Sequence, residues 1–201
     1  MKNLDKFYTH PDIAKMFVDK INEITNLSLY DMIIEPSAGG GNILQYLPED
    51  TVAFDLVPEA DGIIRQDYFE YISPYDPLTN PINIAVVGNP PFGTGYMNPL
   101  AKGFFNHSAK FANTIAFIVP AKYHSSWKVH KQLDNKFGLY FSEILPKNSF
   151  VMDGKPHDVN CCMQIWSKKT LGEDLRIYSV PPTQHEDCLL YTSPSPRDSV
   201  G

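Results

Sequence analysis

The sequence predicts an α/β fold, a single domain built on a mostly parallel sheet. Short apolar runs alternate with segments of helical periodicity through the first two thirds of the chain, a pattern typical of parallel strands joined by crossover helices. The loops that follow these apolar runs carry glycine, acidic residues or proline. Because open α/β sheets bind ligands at the carboxyl ends of their strands, these loops are the expected site.

The first predicted element is an amphipathic helix. Pro11 suits the first helical turn, and Ile13, Phe17, Ile21 and Ile24 follow at helical spacing. Further helical segments are predicted at 42–47, 100–111 and 127–137. Strands are predicted at 32–34, 52–54, 62–64, 82–88 and 114–119, and the late extended runs at 139–145 and 159–167 suit a closing antiparallel hairpin.

Length and composition favour one intracellular domain. The chain has 201 residues, of which 43% are hydrophobic, enough for one sizeable core but not two. An apolar stretch of about 18 residues and an apolar signal-peptide region are both missing from the sequence, so we expect a cytoplasmic protein of a prokaryote, virus or phage with no membrane partner. Cys161 and Cys162 are adjacent, which makes a bridge between them difficult, and no zinc spacing is present. We therefore expect no metal.

The end of the sequence differs from the rest. Residues 188–201 read like the codon-by-codon translation of a sequencing-library adaptor, and the alternative is an ordinary disordered tail rich in serine and proline. We therefore expect residues 1–187 to form the domain and 188–201 to be a non-native, disordered tail.

Charge is unevenly distributed along the chain. The net charge is −6, which argues against a protein that coats nucleic acid over its whole surface. Residues 1–120 carry 7 basic and 14 acidic residues, whereas residues 121–187 carry 9 and 8. A polyanion would therefore meet the second part, where the candidate lysines are Lys122, Lys128, Lys131, Lys136, Lys147 and Lys155, each of which could also be an ordinary solvated lysine.

Carboxylates follow the first three predicted strands. Glu35, Asp55 and Asp67 occupy these positions, and Gly39 to Gly41 in the first loop would let the backbone approach a ligand closely, although glycines could also serve only the turn. Three acids would repel a pyrophosphate. They can accept hydrogen bonds from an ammonium group, ribose hydroxyls and an adenine amine, which together describe S-adenosylmethionine.

The fourth strand runs into the most specific motif, Asn89-Pro90-Pro91-Phe92. The side-chain oxygen of Asn89 and the carbonyl oxygen of Pro90 are two acceptors on a chain stiffened by two prolines. Two such acceptors can hold the hydrogens of an exocyclic amine and direct its lone pair at an electrophilic methyl group. Phe92 can stack on a flat base held outside a duplex. The alternative is a turn that only ends the strand.

These motifs together resemble those of the class I, amino-type N6-adenine methyltransferases. The segments that carry the resemblance are Phe7-Tyr8-Thr9, Glu35-Pro36-Ser37-Ala38-Gly39-Gly40-Gly41, Asp55, Asp67-Tyr68-Phe69 and Asn89-Pro90-Pro91-Phe92. The resemblance covers roughly residues 7 to 168. It implies a Rossmann-like, seven-stranded sheet of order 3-2-1-4-5-7-6 with the last strand antiparallel, S-adenosylmethionine as cofactor, and the N6 amine of adenine as methyl acceptor.

The resemblance also implies roles for individual residues. Tyr8 and Thr9 would flank the methionine end of the cofactor, and Asp67 with Tyr68 or Phe69 would meet its adenine. The expected cofactor-binding residues are Tyr8, Thr9, Glu35, Pro36, Gly39, Gly41, Asp55, Leu56, Asp67, Tyr68 and Phe69, and the expected catalytic residues are Asn89, Pro90, Pro91 and Phe92.

Substrate contacts are expected on both sides of the catalytic loop. Phe150 precedes the penultimate predicted strand, where such enzymes often carry an aromatic residue that clasps the flipped base, although it could equally be a core or loop residue. Phe92, Lys122 and Lys155 are the other candidates for substrate binding. Gly41 and Asn89 are separated by only about 48 positions, so a recognition domain does not fit between them.

Four functions remain open at this point. DNA is the favoured substrate, with the enzyme either solitary or of restriction-modification or phage type. Ribosomal RNA is the second, because compact RNA adenine methyltransferases share the motif found here at Asn89 to Gly93. The third is a glutamine side-chain amide of a protein. The last is a cofactor-binding module that needs a partner, such as a specificity subunit or a missing C-terminal recognition region.

Overall fold

We describe the protein from a computed structural model that covers residues 7–75, 79–93, 99–152 and 154–179. The predicted tail at 188–201 and the last part of the predicted domain lie outside these residues. The helices are α1 (Pro11–Thr25), α2 (Pro99–Ser108) and α3 (Trp127–His130). The strands are β1 (Tyr8–Thr9), β2 (Met32–Glu35), β3 (Val52–Asp55), β4 (Ile63–Arg65), β5 (Ile84–Gly88), β6 (Thr114–Pro120), β7 (Gly138–Ile144), β8 (Phe150–Met152), β9 (Lys155–His157) and β10 (Cys161–Ser167).

Seven strands form the central sheet in the spatial order β4-β3-β2-β5-β6-β10-β7. All neighbouring pairs from β4 to β6 are parallel, and β10 is antiparallel to both β6 and β7. Numbered along the chain, the seven strands have the order 3-2-1-4-5-7-6. This confirms the predicted α/β architecture, including the antiparallel last strand.

The core lies on both faces of this sheet because alternate residues of a buried strand point to opposite sides. On one face, Val86 of β5 packs in the cluster that contains Phe104 of α2. On the other face, Ala85 and Val87 pack in the cluster that contains Phe17 of α1. The fully apolar sequence of β5 is therefore explained by its burial on both sides.

A second, three-stranded sheet of order β1-β8-β9 lies beside the main sheet, and the sequence did not predict it. Tyr8 pairs with Val151 and Thr9 with Phe150, both antiparallel. Strands of two or three residues are too short to show an alternating pattern. This small sheet fixes the N-terminal segment against the carboxyl edge of the main sheet.

Two predicted helices are shorter than the sequence suggested. Residues 42–47 form only a 3₁₀ turn at Leu44–Tyr46, after the glycine loop. Residues 127–137 form a helix only at Trp127–His130, and the chain beyond it turns around Arg176. The turn at Leu44–Tyr46 is held by local backbone hydrogen bonds, whereas the carbonyls of His130 and Leu133 accept hydrogen bonds from the distant Arg176. Within the described ranges, no helix is long and apolar enough to cross a membrane.

The side chain of Arg176, near the end of the described chain, forms hydrogen bonds with this turn. Its guanidinium is 6% exposed and donates four hydrogen bonds of 2.6 to 2.8 Å, all to backbone carbonyls. The acceptors are the carbonyl oxygens of His130, Leu133, Asp134 and Phe137. Burial lowers the pKa of Arg176, but a guanidinium remains charged at neutral pH.

Replacement of Arg176 by methionine should destabilise the fold. The variant leaves four carbonyl groups without their donor, so we expect a loss of about 3 kcal/mol or more in the free energy of unfolding. Urea titration followed by circular dichroism measures it. The matched control is Arg65→Met, since Arg65 is exposed on the edge strand β4. Equal stability of the two variants would contradict the assigned role.

Candidate active site

The candidate site lies where the direction of the chain connections reverses, between β2 and β5. These two central strands are parallel neighbours, with β3 and β4 on one side and β6 on the other. Their carboxyl ends open into a pocket. Glu35 ends β2, Asn89 follows β5, and Thr9 of the N-terminal strand completes the wall. A switch point of this kind is the usual ligand position in open α/β sheets.

The first loop follows β2 and approaches β5 closely. A Cβ atom on Gly88 would lie 3.2 Å from Cδ of Pro36, so the glycine lets the buried proline pack directly against β5. Gly39 and Gly41 have positive φ angles of 53° and 78°, a conformation that glycine adopts without strain. The loop therefore turns tightly at the edge of the pocket, as expected of the predicted glycine motif.

Glu35 is a buried carboxylate in this pocket. The residue is 1% exposed, and its Oε2 atom has no hydrogen-bond partner among the residues described. Burial, with a smaller contribution from the nearby Asp55, raises the pKa of Glu35 to about 8. A cation placed in the pocket would restore the charged form, because opposite charge favours ionisation.

Asp55 joins the glycine loop to the loop after β3. It accepts hydrogen bonds of 2.8 Å from the backbone N–H groups of Gly39 and Val57. Leu56 follows it and is 57% exposed, which is unusual for leucine. A carboxylate has about four acceptor positions, so Asp55 can also accept from a ligand.

The segment after β4 divides its residues between core and surface. Asp67 accepts a hydrogen bond of 2.9 Å from the N–H group of Phe69 and begins a short 3₁₀ helix. Tyr68 is 2% exposed and shares a hydrogen bond of 2.8 Å with the buried hydroxyl of Ser108. Phe69 is 42% exposed. Of the two aromatic residues proposed to meet an adenine ring, only Phe69 presents a free surface, and Tyr68 belongs to the core.

Asn89 presents an unpaired acceptor to the same pocket. Its Oδ1 atom is buried, and the described part of the chain offers it no hydrogen-bond partner. Its Nδ2 atom donates to the hydroxyl of Thr9 at 3.3 Å and to the carbonyl of Phe7 at 3.5 Å. The hydroxyl of Ser37 donates to the backbone carbonyl of Asn89 at 3.1 Å. The first loop and the N-terminal strand thus both hold this residue.

The other residues of the predicted catalytic motif differ in burial. Pro90 is buried, Pro91 and Phe92 are half-buried, and Phe92 packs against the core cluster on the α1 side of the sheet. The four motif residues therefore lie together at the end of β5. Residues 94–98, which follow the motif, are outside the described ranges.

Tyr8 lies across the glycine loop. A Cβ atom on Gly39 would be 3.5 Å from its ring, and its hydroxyl donates to Oε2 of Glu59 at 2.5 Å. Burial and the neighbouring Glu59 raise the pKa of Tyr8 to about 12, which keeps the phenol protonated. Tyr8 is therefore a fixed hydrogen-bond donor that joins β1 to the loop after β3.

Comparison of the sequence with protein-family models and with curated proteins gave no match. Solved structures do match the fold. A proposed RNA methyltransferase from Pyrococcus horikoshii aligns with a TM-score of 0.59 at 14% identity, over 82% of this chain and 87% of that one. A proposed class I S-adenosylmethionine-dependent methyltransferase from Listeria monocytogenes aligns with a TM-score of 0.60 at 15% identity, over 86% of this chain and 64% of that one.

A third match is the magnesium protoporphyrin IX methyltransferase of Synechocystis PCC 6803, whose crystal structure contains bound S-adenosylmethionine. It aligns with a TM-score of 0.53 at 14% identity, over 80% of each chain. The chain has the class I methyltransferase fold. At these identities the likeness concerns the fold, and the roles of individual residues depend on the geometry of the pocket.

Within this methyltransferase fold, the predicted substrate residues are not brought together. Phe150 is fully buried in the core and pairs with Thr9, so its ring is not available to a base in this conformation. A core position is the alternative role that the sequence analysis left open for Phe150. Lys155 is exposed on β9, and Lys122 is half-buried just after β6, where burial and then Lys102 lower its pKa.

Three contributing residues were not predicted as site residues, although Phe7 and Ser37 belong to the segments that carry the resemblance. Phe7 and Ser37 both bind Asn89, and Asn42 donates a hydrogen bond of 3.0 Å to the backbone carbonyl of Thr9. Asn42 directly follows the glycines, a position that could have marked it as a candidate. The described ranges contain no group of three or more His, Cys, Asp or Glu side chains arranged to hold a metal ion.

The carboxylate of Glu35 should make stability depend on pH. The unfolded chain loses this proton near the ordinary glutamate pKa, whereas the folded protein keeps it until about pH 8. The contribution of Glu35 to stability is therefore largest at acidic pH and decreases as pH rises toward 8. Glu35→Gln, which cannot ionise, should gain stability relative to the wild type over this range, by about 2 kcal/mol or more.

Urea unfolding at pH 5 and pH 8 measures this difference in the absence of ligand. Glu143→Gln, on the exposed part of β7, is the matched control and should change in parallel with the wild type. If the free energies of unfolding of Glu35→Gln and the wild type changed in parallel with pH, the buried carboxyl group would not retain its proton.

Proposed function

We propose that the protein is an S-adenosylmethionine-dependent methyltransferase that methylates the N6 amine of adenine in DNA. One observation carries the proposal: two buried acceptor atoms without partners, Oε2 of Glu35 and Oδ1 of Asn89, belong to residues that line one pocket. A buried acceptor left unpaired is costly, so such atoms indicate a ligand with donors. An ammonium group and an exocyclic amine supply those donors.

The pocket residues fit the cofactor. Glu35 would hold its ammonium group, and the backbone at Gly39 and Gly41 would pass beneath it. Asp55, which already accepts two backbone hydrogen bonds, has acceptor positions left for ribose hydroxyls. The exposed side chains of Leu56 and Phe69 offer apolar surface for an adenine ring. S-adenosylmethionine supplies a methyl group on a positively charged sulfur, which makes that carbon electrophilic.

Asn89 and Pro90 would prepare the acceptor amine. The lone pair of an exocyclic amine is delocalised into the ring, so it is a poor nucleophile. Oδ1 of Asn89 and the carbonyl oxygen of Pro90 would each accept one amine hydrogen, which directs the lone pair along the transfer axis. The new N–C bond forms as the C–S bond breaks toward sulfur, and the surplus proton leaves to solvent.

DNA is proposed ahead of RNA for the acceptor polymer. RNA is the second candidate, supported by the compact fold, the motif Asn89 to Gly93, and the fold shared with a proposed RNA methyltransferase. A specificity subunit or a C-terminal recognition region would supply target selection. Parallel assays with labelled cofactor on unmethylated DNA, total RNA and release-factor protein distinguish these substrates. Label on protein alone would overturn the adenine assignment, and no label on any substrate would favour the partner-dependent module.

Asn89→Ala should abolish methyl transfer while sparing cofactor binding. The variant removes the acceptor for the amine, so kcat should fall by about a hundredfold or more, as when one positioned group of a polar catalytic site is deleted. The cofactor Kd, measured by calorimetry, should stay within about twofold. Asn135→Ala, an exposed asparagine of the β6–β7 connection, is the control. Wild-type kcat in Asn89→Ala would exclude this residue from the reaction.

Phe92→Leu should separate base stacking from core packing. Leucine keeps the apolar contact with the core cluster but removes the aromatic face, so KM for the polymer should rise by about tenfold. Phe141→Leu is the control, because Phe141 is also half-buried against the same cluster. Kinetic constants for the variants and the wild type give the comparison, and an unchanged KM for Phe92→Leu would remove stacking from the mechanism.

A further inference from the structure

The amide of Asn89 can serve the reaction in only one of its two orientations. Its oxygen accepts hydrogen bonds and its nitrogen donates them, yet both ends have nearly the same size and the terminal torsion is broad. Rotation by 180° would turn the NH₂ group toward the pocket, where it would repel the hydrogens of a substrate amine. The active orientation therefore needs a group that binds the nitrogen.

The N-terminal strand supplies that group. The two hydrogens of Nδ2 are directed at two oxygens, the hydroxyl of Thr9 at 3.3 Å and the carbonyl of Phe7 at 3.5 Å. A backbone carbonyl can only accept, so the oxygen of Phe7 sets which end of the amide faces it, and the hydroxyl of Thr9, which can accept or donate, holds the amide in that position. Rotation of the amide would place Oδ1 against the oxygen of Phe7, and two acceptors in contact repel each other. The remaining amide atom, Oδ1, is then left unpaired in the pocket.

We propose that Thr9, together with the carbonyl of Phe7, is a positioning residue that holds the Asn89 amide with Oδ1 toward the acceptor amine. The inference rests on the function proposed for Asn89. It gives Thr9 a task other than the predicted contact with the methionine end of the cofactor. Thr9 acts through Asn89 and does not itself need to touch the substrate.

Thr9 is itself held firmly enough for this task. It is 2% exposed, its carbonyl accepts a hydrogen bond of 3.0 Å from Asn42, and it pairs with Phe150 of β8. The next N–H group, of His10, donates to the carbonyl of Ser149 at 2.9 Å. The backbone of Thr9 is therefore bound to both the glycine loop and the small sheet, which fixes the position from which its hydroxyl reaches Asn89.

The kinetic test uses Thr9→Val, which keeps the shape of the side chain and removes the hydroxyl. With saturating cofactor and the polymer that the wild type methylates, kcat should fall by about tenfold, the effect of losing one orienting hydrogen bond. The cofactor Kd should stay within about twofold of the wild type. Thr9→Ser, which retains the hydroxyl, should restore most of the rate.

Thr25→Val is the matched control, because it removes another partly buried threonine hydroxyl, one that donates to the carbonyl of Ile21 at the end of α1. Its kcat should equal that of the wild type. A weaker cofactor Kd with full kcat at saturation in Thr9→Val would make Thr9 a cofactor ligand and overturn the proposal. Wild-type values for both constants would also overturn it.

A second measurement does not depend on activity. In the wild-type protein, the side-chain amide hydrogens of Asn89, assigned by their loss in Asn89→Asp, should show nuclear Overhauser contacts to Thr9. The absence of these contacts would overturn the positioning role. If the wild type methylates none of the substrates offered while the contacts are present, the proposed function is wrong. The orientation of the Asn89 amide by Thr9 would then still be supported.

Discussion

Parallel pairing between β2 and β5 is the interaction on which the site depends. The register places Met32 beside Ile84 and Ile34 beside Val86, so the two strands end at the same edge of the sheet. Gly88 then lets Pro36 pack directly against β5. A carboxyl group and an amide that are far apart in sequence thereby line one pocket, and each has a buried oxygen atom without a partner among the described residues. A shift of one residue in this pairing would reverse the direction of every side chain on the strand.

The strand order was implied by the family resemblance, whereas the positions of the strands were predictable from their short apolar runs. Which of two neighbouring aromatic side chains is buried could not be predicted from the sequence. Tyr68 and Phe69 are adjacent, and only the 3₁₀ turn that begins at Asp67 decides that the first enters the core and the second stays exposed. Phe150 is buried for a similar reason, since β8 turns it toward the core cluster on the α1 side.

The predicted helix at 127–137 ended early for a different reason. Its periodicity reported correctly that Val129, Leu133 and Phe137 are buried. The backbone between them is not helical, because the carbonyls of His130, Leu133 and Phe137 accept hydrogen bonds from Arg176. A local sequence pattern does not reveal hydrogen bonds from an arginine that is distant in the sequence. The Asn89 to Phe92 motif could be recognised from four consecutive residues, whereas no local pattern showed that Ser37 and Phe7 form hydrogen bonds with Asn89.

The site has a distinct polarity. Acidic residues surround the pocket on the side of β2 to β4, and burial there holds Glu35 in a form that a cation would ionise. Lys122 follows β6, on the other side of β5 in the sheet, and burial and then Lys102 lower its pKa. Under the proposed function, the acidic side suits a cationic ligand.

The small sheet also determines when the site can form during synthesis. Tyr8 and Thr9 are synthesised before their pairing partners on β8, which are Val151 and Phe150. The wall of the pocket that holds the Asn89 amide therefore cannot close during synthesis until β8 has emerged. Contacts of such large sequence separation are slow to form. Under the proposed function, competence for methyl transfer would follow the synthesis of the parallel strands of the main sheet.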